Sequence, residues 1–138
     1  MSGKLTAQEA LIYVMVTISA AEGTINDDEI AEIGMLVRTL PVFSTFDTAH
    51  LVSTAEACGE ILANDADGLE KVLDMIADAL PSKLYDTAYA LAVEVAAADL
   101  EVAQEELRFL QLLRDKLALD KLVVAAIERG ARARLRTL

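Results

Sequence analysis

The stretch TAQEALIYVMVTISAAEGTINDDEI, residues 6–30, decides the fold class. Its first four residues, Thr6-Ala7-Gln8-Glu9, fit a capping box: the threonine hydroxyl caps a helix start and the glutamate reaches back to the cap. Leu11, Val14, Met15 and Ile18 then recur at helical spacing, and Ile12 and Val16 make other sides apolar as well. A helix that is apolar on most sides belongs in the middle of a fold. It is expected to end near Ala21, before Gly23. A second helix is expected from Asn26, with Glu29 in the capping-box position. Its predicted buried face is Ile30, Ile33, Val37 and Leu40, and Pro41 stops it.

Five further helices follow from the same reasoning. The third spans Asp47 to about Ala63. The fourth begins near Asp67, carries Leu69, Val72, Leu73, Ile76 and Leu80 on one face, and stops at Pro81. Ser82 is expected to cap the fifth, with Leu84, Ala88, Leu91, Ala92 and Val95. The sixth starts at about Ala103, with Leu107, Leu110, Leu113 and Leu117. Asp120 caps the seventh, and Gly130 is expected to end its regular part. No stretch alternates with a period of two, and the loops are short. The chain therefore reads as all-α, one antiparallel bundle of about seven helices. Leu11, Met15, Ile33, Leu91, Val95 and Leu110 are expected in its core.

Hydrophobic residues make up 54% and charged residues 25%, which excludes a disordered chain. A lone cysteine, Cys58, excludes an intramolecular disulfide. The N-terminus lacks a signal-peptide pattern. The longest nearly apolar run, Ala10 to Ala21, falls short of the roughly 20 residues a membrane span needs. A cytoplasmic protein with no transmembrane segment is expected. Residues 1–120 carry 22 acids and seven bases, while residues 121–138 carry five bases and one acid. So acidic a body repels phosphate backbones, which argues against nucleic-acid binding. Arg129, Arg132, Arg134 and Arg136 are expected to complement a helix dipole and to pair with the acidic body.

Residues 20–30 have a counterpart 77 positions on. Ala20-Ala21-Glu22-Gly23-Thr24-Ile25-Asn26-Asp27-Asp28-Glu29-Ile30 aligns with Ala97-Ala98-Asp99-Leu100-Glu101-Val102-Ala103-Gln104-Glu105-Glu106-Leu107. Two alanines and an acid correspond. An aliphatic residue sits three positions after the acid, and a glutamate and another aliphatic follow at seven and eight. Each copy joins an apolar helix to an acid-rich one, which predicts two repeated helical hairpins about a pseudo-twofold axis.

These junctions resemble the signature of the tellurite-resistance TerB-like family, in which an apolar helix ends in Ala-Asp-Gly before an aliphatic residue and a helix-starting glutamate. The matching residues are Ala21-Glu22-Gly23-Thr24-Ile25 with Glu29, and Ala98-Asp99-Leu100-Glu101-Val102 with Glu106. The resemblance runs from about Gln8 to Leu119. Glu22 replaces the usual aspartate. Leu100 replaces the usual glycine, which would strain that turn if it needs a positive φ. The resemblance implies a single TerB-like helical domain over 1–138, with an acidic surface. It also implies a place in bacterial resistance to tellurite and other chemical stress, beside calcium-binding and membrane-associated proteins. A metal-binding or adaptor role is what the family suggests.

Hard divalent cations take several oxygen ligands, and Glu22, Asp28, Glu29, Asp99, Glu101 and Glu106 would supply them across the two turns. The site expected is weak and solvent-exposed, for Ca²⁺, Mg²⁺ or Mn²⁺, and no motif demands a cofactor. An EF-hand is excluded, because Ile18 and Ala20 stand where oxygen ligands are needed. The competing account of the same acids is helix capping and dipole compensation. Glu94, inside an apolar stretch, is expected to face water, with an arginine partner or a cluster with Asp99 as alternatives. Cys58 and His50 are too few and too far apart for a zinc site. The function expected is a non-catalytic acidic module that binds a cation or the basic surface of a protein partner. A carboxylate-based metal-dependent enzyme and a structural homodimer are the alternatives.

Overall fold

The computed structural model describes residues 4–22, 27–97 and 104–138. These form seven α-helices and no strand: α1 (Ala7–Ser19), α2 (Asp27–Thr39), α3 (Leu51–Asn64), α4 (Gly68–Ala79), α5 (Tyr85–Ala97), α6 (Gln104–Lys116) and α7 (Lys121–Arg134). The capping box forms as expected. The Glu9 amide donates to Thr6 Oγ1 at 3.1 Å, and the Thr6 amide donates to Glu9 Oε1 at 2.9 Å. Gln8 ties this end of α1 to the turn after α2, its Nε2 donating to the Val42 carbonyl and to Thr45 Oγ1, each at 3.0 Å.

Every residue of α1 from Ala10 to Ser19 is buried. Such a helix needs neighbours on all sides, and α3, α4 and α5 supply most of them. All six expected core residues are buried. Cys58 of α3 presses on α1, its thiol donating to the Tyr13 carbonyl at 3.8 Å and lying 3.5 Å from Thr17 Oγ1. Helices α2 and α6 have 13 residues each and begin 77 positions apart. Each packs against both α1 and α5, while α3 lies on α1 and α7 lies on α5. Helix α4 has no partner at that offset. It crosses α3 closely at Gly68, where an added Cβ would run into the Ile61 carbonyl oxygen. Between α6 and α7 the chain turns through Ala118, whose φ of 52° lies in the left-handed region. The Leu119 amide there closes back on the Arg114 carbonyl at 3.1 Å, satisfying the end of α6.

Several expectations are corrected. Ile30 and Leu107, placed on the buried faces of α2 and α6, are 56% and 53% exposed. Leu36 and Phe109 are buried in the same helices. Ser82 does not cap α5. It lies inside a 3-10 turn, Ser82–Leu84, that follows Pro81 and leads into the helix. Asp120 occupies the cap of α7 but makes no side-chain cap hydrogen bond. Gly130 does not end α7, which continues to Arg134. Asn26 and Ala103, expected at helix starts, lie outside the described residues. No helix among the described residues is long and apolar enough to cross a membrane.

Candidate functional site

The two acid-rich helix starts are built alike. Helix α2 opens Asp27-Asp28-Glu29 and α6 opens Gln104-Glu105-Glu106. Unpaired amides and the helix dipole make the first turn a favourable place for negative charge. In each helix the third residue is a glutamate turned inward. Glu29 is 2% exposed and Glu106 is 1% exposed. The residues before them, Asp27, Asp28 and Glu105, are exposed. Burying a carboxylate is costly unless polar groups meet it, and neither glutamate is without a partner. These two are therefore not the solvated surface acids that first-turn position alone suggests.

Of the six carboxylates singled out, Asp28, Glu29 and Glu106 are placed: one is exposed and two are buried. Asp99 and Glu101 lie outside the described residues, as does the side chain of Glu22. Among the described residues, no group of three or more His, Cys, Asp or Glu side chains stands close enough to hold a metal ion.

The first junction and the second acidic helix do come together. The 3-10 turn Ala20–Glu22 that ends α1 packs against α6. A cavity of about 300 Å³ lies beside it, lined by Thr17, Ala20, Ala21, Glu105, Arg108 and Phe109 among others. Its charged groups among the described residues are one carboxylate and one guanidinium, an arrangement suited to holding a polar group. Ser19 Oγ, buried near the end of α1, has no hydrogen-bond partner among the described residues. The lone histidine, His50, is exposed beside Asp47, at 3.6 Å. Burial pushes the Cys58 thiol up to about 11, the hydrogen bond from Thr17 only partly opposing this. A thiol held protonated is a packing group, not a nucleophile.

A second polar cluster went unforeseen. Tyr89, fully buried on α5, donates from its hydroxyl to Glu128 Oε2 on α7 at 2.5 Å. Arg114 of α6 donates to the same hydroxyl at 2.9 Å and to Glu128 at 3.3 Å. Burial, then the hydrogen bond to Glu128, pushes the tyrosine up to about 12. The signal available was a tyrosine on the apolar side of α5, since a buried hydroxyl usually finds a partner. Glu94 takes the arginine partner that stood as an alternative to facing water: it is half-buried and paired with Arg134.

Comparison with curated proteins and with solved structures finds no match. A family model described as tellurite resistance protein TerB matches residues 8–129, which takes in α1 through most of α7. The chain belongs to the TerB family of tellurite resistance proteins.

Proposed function

We propose that this chain is a non-catalytic binding module whose acidic helix starts engage a divalent cation or the basic surface of a partner protein. One observation carries this: α2 and α6, 77 residues apart, each turn a glutamate inward at the third position. Inward carboxylates fix the two helix starts, while Asp27, Asp28 and Glu105 present negative charge outward. An acidic body supplies the long-range field that draws a cation or a basic surface toward such turns. A metal-dependent enzyme would need several carboxylates converging on a substrate pocket. The cavity beside the first junction holds Glu105 as its carboxylate among the described residues.

Calorimetric titration with Ca²⁺, Mg²⁺ and Mn²⁺ tests the cation branch. Binding is expected to be weak and to fall with added salt, because exposed carboxylates are screened. The combined variant Glu22→Gln, Asp28→Asn, Asp99→Asn is expected to abolish it while leaving the helical circular-dichroism spectrum unchanged. Glu29 and Glu106 are left intact because their burial ties them to the fold. Full cation and partner binding by that variant would reduce the acidic turns to helix caps.

A further inference from the structure

Of the four C-terminal arginines, three stay outside the ion pairs of the described residues. Arg134 pairs with Glu94. Arg129, Arg132 and Arg136 are exposed and form no ion pair among the described residues. Arg129 and Arg132, three residues apart, share one side of α7, and Arg136 follows just beyond its end. Arg132 and Arg136 border an open groove of about 420 Å³ between α5, α6 and α7. The groove is mostly apolar, lined by Val93, Ala96, Leu110 and Ala131, with Leu107 and Leu135 also on it; its one carboxylate among the described residues, Glu128, is already engaged by Tyr89 and Arg114. Leu107 and Leu135 are large hydrophobic side chains left exposed. This explains nothing about the fold, and Leu107 is the residue whose helical spacing predicts burial.

We infer that this groove docks an acidic amphipathic helix of a partner protein. Apolar side chains one turn apart would enter the groove, and carboxylates at the same spacing would meet Arg132 and Arg136. Helix-in-groove recognition uses this pattern of anchors. The guanidinium fork suits carboxylates, and both Arg132 on α7 and Arg136 just beyond its end border the groove. Charge complementarity selects this occupant. The 22 acids against seven bases of residues 1–120 repel an acidic partner elsewhere, so the arginine edge fixes where it lands. The same acidic body disfavours an anionic bilayer.

The test selects a phage-displayed library of 16-residue peptides, about four helical turns long, against the whole protein. Enriched peptides are then measured by fluorescence anisotropy. They are expected to carry acids beside apolar residues at helical spacing. The double variant Arg132→Glu, Arg136→Glu should weaken binding about tenfold or more, as should Leu107→Asp. The charge-matched control Lys83→Glu, Lys121→Glu should not. All these positions are exposed or at the groove margin, and equal melting temperatures would show that the variants remain folded. Four results overturn the inference: no enrichment, a basic consensus, peptides that bind the reversed and control proteins alike, or a groove claimed otherwise. The last would be a dimer in sedimentation velocity that Arg132→Glu, Arg136→Glu dissolves, or phosphatidylglycerol-vesicle binding lost in that variant.

Discussion

Helices α1 and α7 differ by one residue in length, 13 against 14, and stand at opposite extremes of burial. All of α1 from Ala10 to Ser19 is buried, whereas α7 buries Ala131 and only partly covers Val124 and Ile127. Removing apolar surface from water holds α1, a non-directional force proportional to the area covered. Helix α7 leans on directional contacts instead: Glu128 to Tyr89 and Arg114, and Arg134 to Glu94. One bundle thus contains an element whose contacts salt does not screen and an element whose ion pairs it does.

The contrast breaks most visibly at Leu11. Leu11→Ala removes a fully buried side chain from α1 and is expected to cost about 2–5 kcal/mol in chemical denaturation. Ile30→Ala, on the exposed side of α2, should stay within about 0.5 kcal/mol. Equal losses at the two positions would show that burial does not rank these helices.

Alkaline pH sharpens the comparison next. The folded state holds the Cys58 proton up to about 11, against an ordinary value of 9.0. As pH rises the unfolded chain gives up that proton first, which favours unfolding. This contribution is complete below 9.0 and is lost as pH climbs through about 11. Tyr89, raised from 10.0 to about 12, gives way later in the same direction. Denaturation midpoints should therefore fall above pH 9.0, and Cys58→Ala should flatten the early part of that fall.

Smaller effects belong to the contacts of α7. Tyr89→Phe removes the hydroxyl shared by Glu128 and Arg114, and about 1–2 kcal/mol of stability should go with it. Amide exchange should quicken in α7 and not in α1, since local opening follows the weaker contacts. Arg134→Ala comes last. Its side chain is 57% exposed, so the pair with Glu94 is expected to contribute about 0.2–1 kcal/mol. High salt should erase the difference between this variant and the parent chain. A difference that survives salt would mean that Arg134 acts through packing of its stem.

Periodicity sufficed for the helices because their apolar residues recur strongly and proline or the Thr6 cap marks several boundaries. It failed at Ile30 and Leu107, the last residues of the two aligned stretches, for one physical reason. Both follow a glutamate that turns inward, and the buried arc of each helix is rotated to include it. A hydropathy pattern ranks glutamate as outward and so shifts the whole face. Gly130 failed as a stop because open space surrounds it and a helix tolerates one glycine there at about 1 kcal/mol. For Glu94 the sequence left the arginine partner behind exposure to water, because that partner, Arg134, lies 40 residues away. As for the candidate site, the sequence placed acids at both helix starts, but which of them point inward depends on packing against α1 and α5.

Gly68 and Ala118 set opposite limits on how this sequence drifts over generations. At Gly68 any side chain would meet the Ile61 carbonyl and come within 3.0 Å of the Leu62 Cα, both main-chain atoms of a neighbouring helix. Backbone cannot step aside as a flexible side chain does, so the α3–α4 crossing admits one residue type. Ala118 already occupies a left-handed conformation that glycine and asparagine adopt more readily. Replacement there runs downhill. Lineages descended from this chain should therefore hold position 68 constant while position 118 wanders among small and amide residues, leaving the corner between α6 and α7 the freer place to accept insertions.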